Sequence, residues 1–485
     1  MPTAEQVLGA LPREMLIGGD WVPAAAGAEL PVEDPATQET IAVVPDGDTS
    51  DADRAVDAAA SAQAAWAGTA PRARGEILER AFRLMTSRAD DLALLMTLEN
   101  GKTIAESKGE ITYAADFFRW FAEQSVRIDG RYTVSPNGQT RLLVTKQPVG
   151  VCLMATPWNF PAAMITRKVG PAIAAGCTMV VKPARETPLT ALAVAQILLE
   201  AGLPPGVLNV ITTSHPSEIV NHVMADPRVR KVSFTGSTEV GKSILRGAAD
   251  HVLRSSMELG GNAPFLVFDD ADVEAAVEGA MVAKMRNIGE ACTSANRFYV
   301  ADRLAGDFTD LLAQRMGSLR LGHGAEEGVQ VGPLINEQGR SKVAELVGDM
   351  VSRGGTVAVG GHRVDGRGYF FEPTVVTDVA ADSRALQEEI FGPVAPIVTF
   401  ADEDAALRFA NATQYGLVAY VYTRDVGRAF RIAEGLEYGM VGLNAGLVSN
   451  AAAPFGGVKE SGIGREGGHE GIEEYLETKY IALNW

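Results

Sequence analysis

The sequence predicts an α/β protein with two doubly wound sheets. Two observations carry this: strand-like and helix-like segments alternate twice along the chain, and the chain is too long for one core. At 485 residues, with 46% hydrophobic and 21% charged residues, it has the composition of an ordinary globular protein of two or three domains. Alternating strand and helix is the pattern of a parallel sheet covered on both faces.

The elements follow in order. TSDADRAVDAAASAQAAWAG places Val56, Ala59, Ala60 and Trp66 at helical spacing behind a Thr/Ser/Asp start, a capped helix. ARGEILERAFRLMTSRADDLALLMTLENG continues as a long helix or a pair. RYTVSPNGQTRLLVTKQP carries Asn-Gly between two strand-like runs, a hairpin signal. From Val149 the pattern changes: VGVCLMAT, CTMVVKP, GVLNVIT and VRKVSFTG read as buried strands with helices between them. Such sheets bind ligands at the carboxyl ends of their strands. A second alternation runs from APFLVFD through RFYVA, GTVAVGG, PTVVTDV and APIVTFA to GLVAYVYT. The tail TKYIALNW is a strand without an evident partner, and an uncovered terminal strand invites pairing, so it is expected to pair across a subunit boundary.

Charge and cysteine usage exclude several function classes. A formal net charge of −18 repels nucleic acid and anionic lipid, and any anionic ligand must be held by a local cluster of cations. The longest mostly apolar stretch, Val169 to Val181, is too short for a bilayer and contains Gly and Pro. The start has no basic region followed by a long apolar one, so no signal peptide is read there and a cytoplasmic location is expected. Three widely spaced cysteines form no disulfide framework, and no Cys or His stands at ligand spacing to Cys292, so no metal site is expected. Cys152 and Cys177 sit in apolar strand runs as packed hydrophobes. Cys292 lies among small and polar residues in MRNIGEACTSANRF, without the Val, Leu and Ile usual around a core cysteine; taken alone it could still be a packed filler, a redox switch or a nucleophile.

GSTEVGKS (236–243) matches the phosphate-loop pattern, with a strand before it and a helix after it, so a nucleotide hydrolase is a rival reading. Against it, Glu239 would lie inside a loop whose work is to hold phosphates, and no strand ends in a clear magnesium-binding Asp. The alternative is a Gly turn feeding a helix, where Ser237 and backbone amides could still hold a pyrophosphate.

MELGGNAP (257–264), GEACTSANR (289–297), PWNFP (157–161), VVKPARETPLTA (180–191), FTGSTEVG (234–241), EEIFGPV (388–394) and PFGGVKESGIGRE (454–466) together resemble the aldehyde dehydrogenase superfamily over nearly the whole chain. The resemblance implies a Rossmann-type dinucleotide-binding domain (1–128 and 148–258), an α/β catalytic domain (259–469) and a small β oligomerisation element (129–147 and 470–485) of a homodimer or homotetramer. It implies Cys292 as nucleophile, the Asn159 amide and the Cys292 N–H as oxyanion donors, Glu258 as general base and Glu466 as an outward proton relay. The chemistry fits these residue types: a thiolate makes the tetrahedral centre that expels hydride, and a carboxylate activates the water that breaks the thioester. Glu258 makes hydrolysis a better reading than acyl transfer to coenzyme A. Ser294 stands where some semialdehyde dehydrogenases carry a second cysteine, so that local disulfide cannot form.

By the same resemblance the dinucleotide is held by Trp158, Lys182, Pro183, Ala184, Arg185, Gly236, Ser237, Leu259, Glu389 and Phe391. NAD-preferring relatives commonly carry Glu at position 185; Arg185 beside Lys182 would attract a 2′-phosphate, so NADP is expected over NAD, with the adjacent Glu186 leaving room for NAD. VITTSHPSEIV lacks the Gly that many relatives have after the strand. Arg167, Arg286 and Ser449 match the carboxylate-binding positions of the succinate-semialdehyde branch, and a guanidinium offers a planar fork to a carboxylate. Glutarate semialdehyde, one methylene longer, and an uncharged aldehyde are the alternatives.

Overall fold

The computed structural model describes residues 2–484, so Trp485 of the expected tail strand lies outside the described residues. The first large sheet has the spatial order Gly462–Ile463, Arg254–Glu258, Val229–Thr235, Val151–Ala155, Thr178–Lys182, Leu208–Val210, Met15–Ile17, Asp20–Val22. Its five middle strands are parallel; Gly462–Ile463 at one end and Met15–Ile17 at the other run antiparallel to them, and Asp20–Val22 pairs antiparallel with Met15–Ile17. Val151–Ala155, Thr178–Lys182 and Leu208–Val210 are buried along their whole length, as strands covered on both faces must be. The order reverses between Val151–Ala155 and Val229–Thr235. That reversal opens a crevice at the carboxyl ends of these two strands, where Trp158 and Gly236 follow.

The second sheet has the order Thr356–Val359, Thr374–Thr377, Val394–Phe400, Ala295–Ala301, Ala263–Val267, Val418–Tyr422, Met440–Leu443. Only its first strand is antiparallel to its neighbour. Phe265, Phe298, Phe308 and Tyr420 pack within one core under it. Cys292 precedes the strand Ala295–Ala301, at its amino end. The site therefore lies where carboxyl ends of the first sheet meet amino ends of the second.

Gly462–Ile463, inside the stretch expected to be catalytic, crosses back to pair with Met257 and Glu258. A single boundary at 258 therefore separates two paired strands.

The tail strand corrects an expectation. Leu476–Leu483 pairs antiparallel with Arg141–Pro148 of the same chain, with Tyr480 opposite Val144, and Arg131–Val134 completes a three-stranded sheet. The hairpin's second strand has a free edge as long as the tail, so the tail finds its partner within the chain. Among the described residues, no helix is long and apolar enough to cross a membrane.

Candidate active site

Three chain turns deliver the expected chemical groups to one cavity of about 340 Å³. Asn159 comes from the turn between the strand Val151–Ala155 and the helix Pro161–Ala175. Glu258 ends its strand, and Cys292 lies in the loop after the helix Val273–Met285. All three line the cavity.

Burial sets their electrostatics. It pushes the Cys292 thiol up to about 12, with Arg167 and Arg286 opposing and Glu389 and Glu258 adding to the rise. Burial also raises the Glu258 carboxyl well above the usual range, and the neighbouring Glu466 raises it further. One Glu258 oxygen is buried without a hydrogen-bond partner. Burial thus favours the neutral form of both side chains.

Asn159 donates its side-chain amide to the Glu290 carbonyl at 3.0 Å. A flipped amide would set two carbonyl oxygens face to face, so this orientation is the one the neighbours dictate. The second N–H of that amide remains for a substrate oxygen.

Glu466 is held deep in the protein. Its carboxylate pairs with Arg167 and, at 2.6 Å, with Lys168, whose ammonium also reaches the Ser233 hydroxyl at 3.0 Å. Despite burial, Arg167 and Lys168 keep this carboxyl below its ordinary range.

The three residues expected to hold a distal carboxylate do not meet. Arg286 and Ser449 do: the guanidinium donates to the hydroxyl at 3.2 Å and stacks 4.6 Å over the Phe160 ring, in a second cavity of about 220 Å³. Arg167 is 1% exposed, paired with Glu466 and stacked 4.2 Å over Phe455, and it does not line that cavity. Tyr113 does line it, and its buried hydroxyl is a neighbour of the Arg167 guanidinium. Sequence reasoning missed Tyr113, although Glu106, Glu110 and Tyr113 recur at helical spacing and share that wall.

The residues expected to hold the dinucleotide lie at or near the carboxyl edge of the first sheet. Trp158, Gly236, Ser237, Leu259, Glu389 and Phe391 line the Cys292 cavity, with the Trp158 and Phe391 rings edge to face at 5.5 Å. Lys182, Pro183 and Ala184 are buried at the end of the neighbouring strand, outside that cavity, and Arg185 is exposed with its guanidinium on Glu186 at 3.1 Å. The Lys182 ammonium donates to the Pro183 carbonyl at 2.9 Å; burial lowers its pKa to about 8, and Glu186 acts to raise it. Glu389 accepts from Gly261 N at 3.2 Å, and burial pushes it up to about 7.

These residues fit a dinucleotide. The helix Thr238–Asp250 points its amino end at the crevice, with Ser237 as its cap, and the buried Thr235 hydroxyl on the cavity wall has no partner. They do not fit a phosphate loop. The helix begins at Thr238, so Val240 to Ser243 are already helical, and Lys242 pairs with Glu460 at 2.9 Å. Among the described residues, no group of three or more His, Cys, Asp or Glu could hold a metal.

A family model described as "Aldehyde dehydrogenase family" matches residues 21–481. A succinate-semialdehyde dehydrogenase of Paenarthrobacter nicotinovorans is 57% identical, covering 91% of this chain and 98% of that protein. A glutarate-semialdehyde dehydrogenase of Pseudomonas putida is 49% identical, covering 97% of this chain and 98% of that protein. The crystal structure of an Escherichia coli NADP-dependent enzyme superposes with a TM-score of 0.97 at 48% identity, covering 98% of each chain.

Proposed function

The chain belongs to the aldehyde dehydrogenase family, and on that premise we propose that it oxidises succinate semialdehyde to succinate, preferring NADP and accepting NAD. The observation that carries the substrate is the Arg286–Ser449 contact beside the cavity of Cys292, Glu258 and Asn159. In a chain of charge −18, an arginine lining a cavity is a local inversion suited to a carboxylate. Tyr113 adds a hydroxyl donor, and Arg167 acts behind it rather than on the substrate.

In this reading Arg286, Ser449 and Tyr113 fix the distal carboxylate and turn the aldehyde carbon toward Cys292 Sγ. Ionised Glu258 takes the thiol proton as sulfur bonds to carbon. Asn159 and the Cys292 N–H receive the negative oxygen, where one such donor is worth about 3 kcal/mol of barrier. When bound, the dinucleotide supplies the acceptor for hydride from that carbon, leaving a thioester on Cys292. Glu258 gives up its proton toward Glu466, then removes one from water as that water attacks the thioester. The carbon–sulfur bond breaks, and succinate leaves. Lys182 and Arg185 would hold a 2′-phosphate, with Ser237 at the pyrophosphate.

We place the enzyme in the cytoplasm, a reading supported by its three free cysteines, and as a homodimer or homotetramer without nucleic-acid or membrane partners. Tyr132, Val134, Tyr480 and Ile481 leave apolar surface on the three-stranded sheet, which supports assembly.

The test follows reduced-nicotinamide absorbance with succinate semialdehyde, glutarate semialdehyde, acetaldehyde and betaine aldehyde, each with NADP and NAD. The highest kcat/KM is expected for succinate semialdehyde with NADP, and Cys292→Ser should abolish turnover. Equal efficiency on betaine aldehyde would refute the carboxylate reading. A higher value on glutarate semialdehyde would move the assignment one methylene outward.

A further inference from the structure

Directly after the helix Val273–Met285 the chain makes a turn that ordinary residues avoid. Asn287 (φ 51°, ψ 45°), Ile288 (φ 52°, ψ 24°) and Gly289 (φ 81°) stand one after another in left-handed conformation. Asn tolerates that region and Gly is free in it, but a β-branched Ile there is a true outlier. Such strain persists only where surrounding contacts over-determine it, and it clusters at functional sites. Here the turn separates Arg286 from the Cys292 loop.

The contacts that hold the turn are specific. Asn287 N donates to the Glu106 carboxylate at 2.7 Å. Its side-chain Nδ2 donates twice, to the Asn159 carbonyl at 2.9 Å and to the Glu290 carbonyl at 3.0 Å. Asn287 is 1% exposed, and both amide hydrogens are spent. The two carbonyls belong to different segments. One is in the turn that carries the Asn159 amide; the other precedes Cys292, whose backbone N–H is the second oxyanion donor in the proposed reaction. Lys102 also reaches the Asn159 carbonyl, at 2.7 Å, but its other contacts, Glu110 and Phe160, lie outside the Cys292 loop. Among the described residues, Asn287 Nδ2 alone bonds both carbonyls.

We propose that Asn287 is a positioning residue whose side-chain amide staples the two halves of the oxyanion hole together, and that the strained left-handed turn exists to aim that amide inward. This rests on the Cys292 chemistry proposed above, not on the identity of the aldehyde. The arrangement predicts where the effect should fall. Asn287 follows Arg286 in the chain and lines the smaller cavity, but its hydrogen bonds go to Glu106, Asn159 and Glu290 and none to Arg286, Ser449 or Tyr113, so losing its amide should fall chiefly on the step in which negative charge builds on the aldehyde oxygen. Donor placement matters steeply there: a shift of about 1 Å costs on the order of a hundredfold in rate.

Asn287→Gly separates the staple from the strain, because glycine adopts the left-handed turn without cost while removing the amide. Asn287→Asp keeps the shape and reverses the hydrogen-bond polarity toward both carbonyls. Three quantities are measured on the full-length enzyme with succinate semialdehyde and with propanal: kcat and KM, the rate of Cys292 alkylation by iodoacetamide, and Tm. The expected result is a fall in kcat of at least about tenfold in both variants, with KM and the alkylation rate within about threefold and no loss of Tm in the Gly variant. Alkylation needs the sulfur but no oxyanion hole, so a structural role would lower it together with turnover. A kcat within about threefold of wild type in Asn287→Gly, or a parallel loss of turnover and alkylation, overturns the proposal. If the wild-type enzyme oxidises propanal but not succinate semialdehyde, the substrate reading fails while the staple is still tested on propanal.

Discussion

Replacing Arg286 with alanine should change what the enzyme selects more than whether it works. The guanidinium lies in the smaller cavity, bonded to Ser449 and stacked on Phe160, with the Tyr113 ring centroid 6.0 Å away. A bound carboxylate would take charge-assisted hydrogen bonds from it in a largely dry setting, and truncating one partner of such a pair costs about 2–5 kcal/mol. Taking about 3 kcal/mol, at about 1.4 kcal/mol per decade, kcat/KM for succinate semialdehyde should fall on the order of a hundredfold. Loss of the stacking on Phe160, worth about 0.5–1 kcal/mol, loosens the Asn159 turn for every substrate and should cost propanal about two- to fivefold. The informative quantity is therefore the ratio of the two kcat/KM values, measured by dinucleotide reduction under one set of conditions. Tyr113→Phe removes one hydroxyl and should lower the same ratio by about tenfold. Because Arg286 and Tyr113 would share one carboxylate, the double variant should lose less than the product of the two. A ratio within about threefold of wild type in Arg286→Ala refutes the reasoning, since the arginine would then serve only to brace Phe160.

Glu466→Gln should move the rising limb of the kcat–pH profile to lower pH. Glu258 is raised partly by Glu466, and the substitution both removes that like charge and leaves Arg167 and Lys168 free to stabilise the ionised base. The variant should also melt earlier, since two buried cations lose their counter-charge; an unchanged or alkaline-shifted limb in a folded variant contradicts this account. Arg185→Glu should lower the NADP-to-NAD ratio of kcat/KM by about tenfold, a modest figure because the side chain is more than half exposed and its field is screened. An unchanged ratio would mean that Arg185 does not meet the 2′-phosphate.

Much of the fold is readable where local pattern and tertiary burial agree. The strands Val151–Ala155 and Thr178–Lys182 are mostly apolar runs followed by turn residues, and Val229–Thr235 keeps Val, Val and Phe among its polar positions. Cys292 stands out because its neighbours are small and polar. What escapes the sequence depends on distant pairing. Glu466 meets Lys168 across 298 positions and also pairs with Arg167, and that second pairing is what keeps Arg167 out of the smaller cavity. The tail strand's partner lies more than three hundred residues upstream. GSTEVGKS matches a phosphate loop letter for letter, and the helix start at Thr238 with Lys242 held by Glu460 adds structural grounds against it. The Asn287 turn is hidden for another reason: Ile288 gives no sign of a left-handed backbone.

The pairing of Arg167 with Glu466 also explains how one small region can serve a base and a clamp. A general base for thioester hydrolysis gains from a raised pKa, and Glu258 has one through burial and a neighbouring carboxylate. An unpaired arginine beside it would undo this by stabilising the ionised form. Arg167 and Lys168 are close enough to act on Glu258, yet Glu466 stands between them and offsets their charge. The second arginine, Arg286, is bonded to a neutral hydroxyl and an aromatic face, so its charge remains available to an incoming anion. Each guanidinium is thus assigned by its counter-group rather than by its distance from the nucleophile. Giving Arg286 a carboxylate partner should therefore abolish selection for the semialdehyde without altering the base, whereas removing the partner of Arg167 should alter the base first.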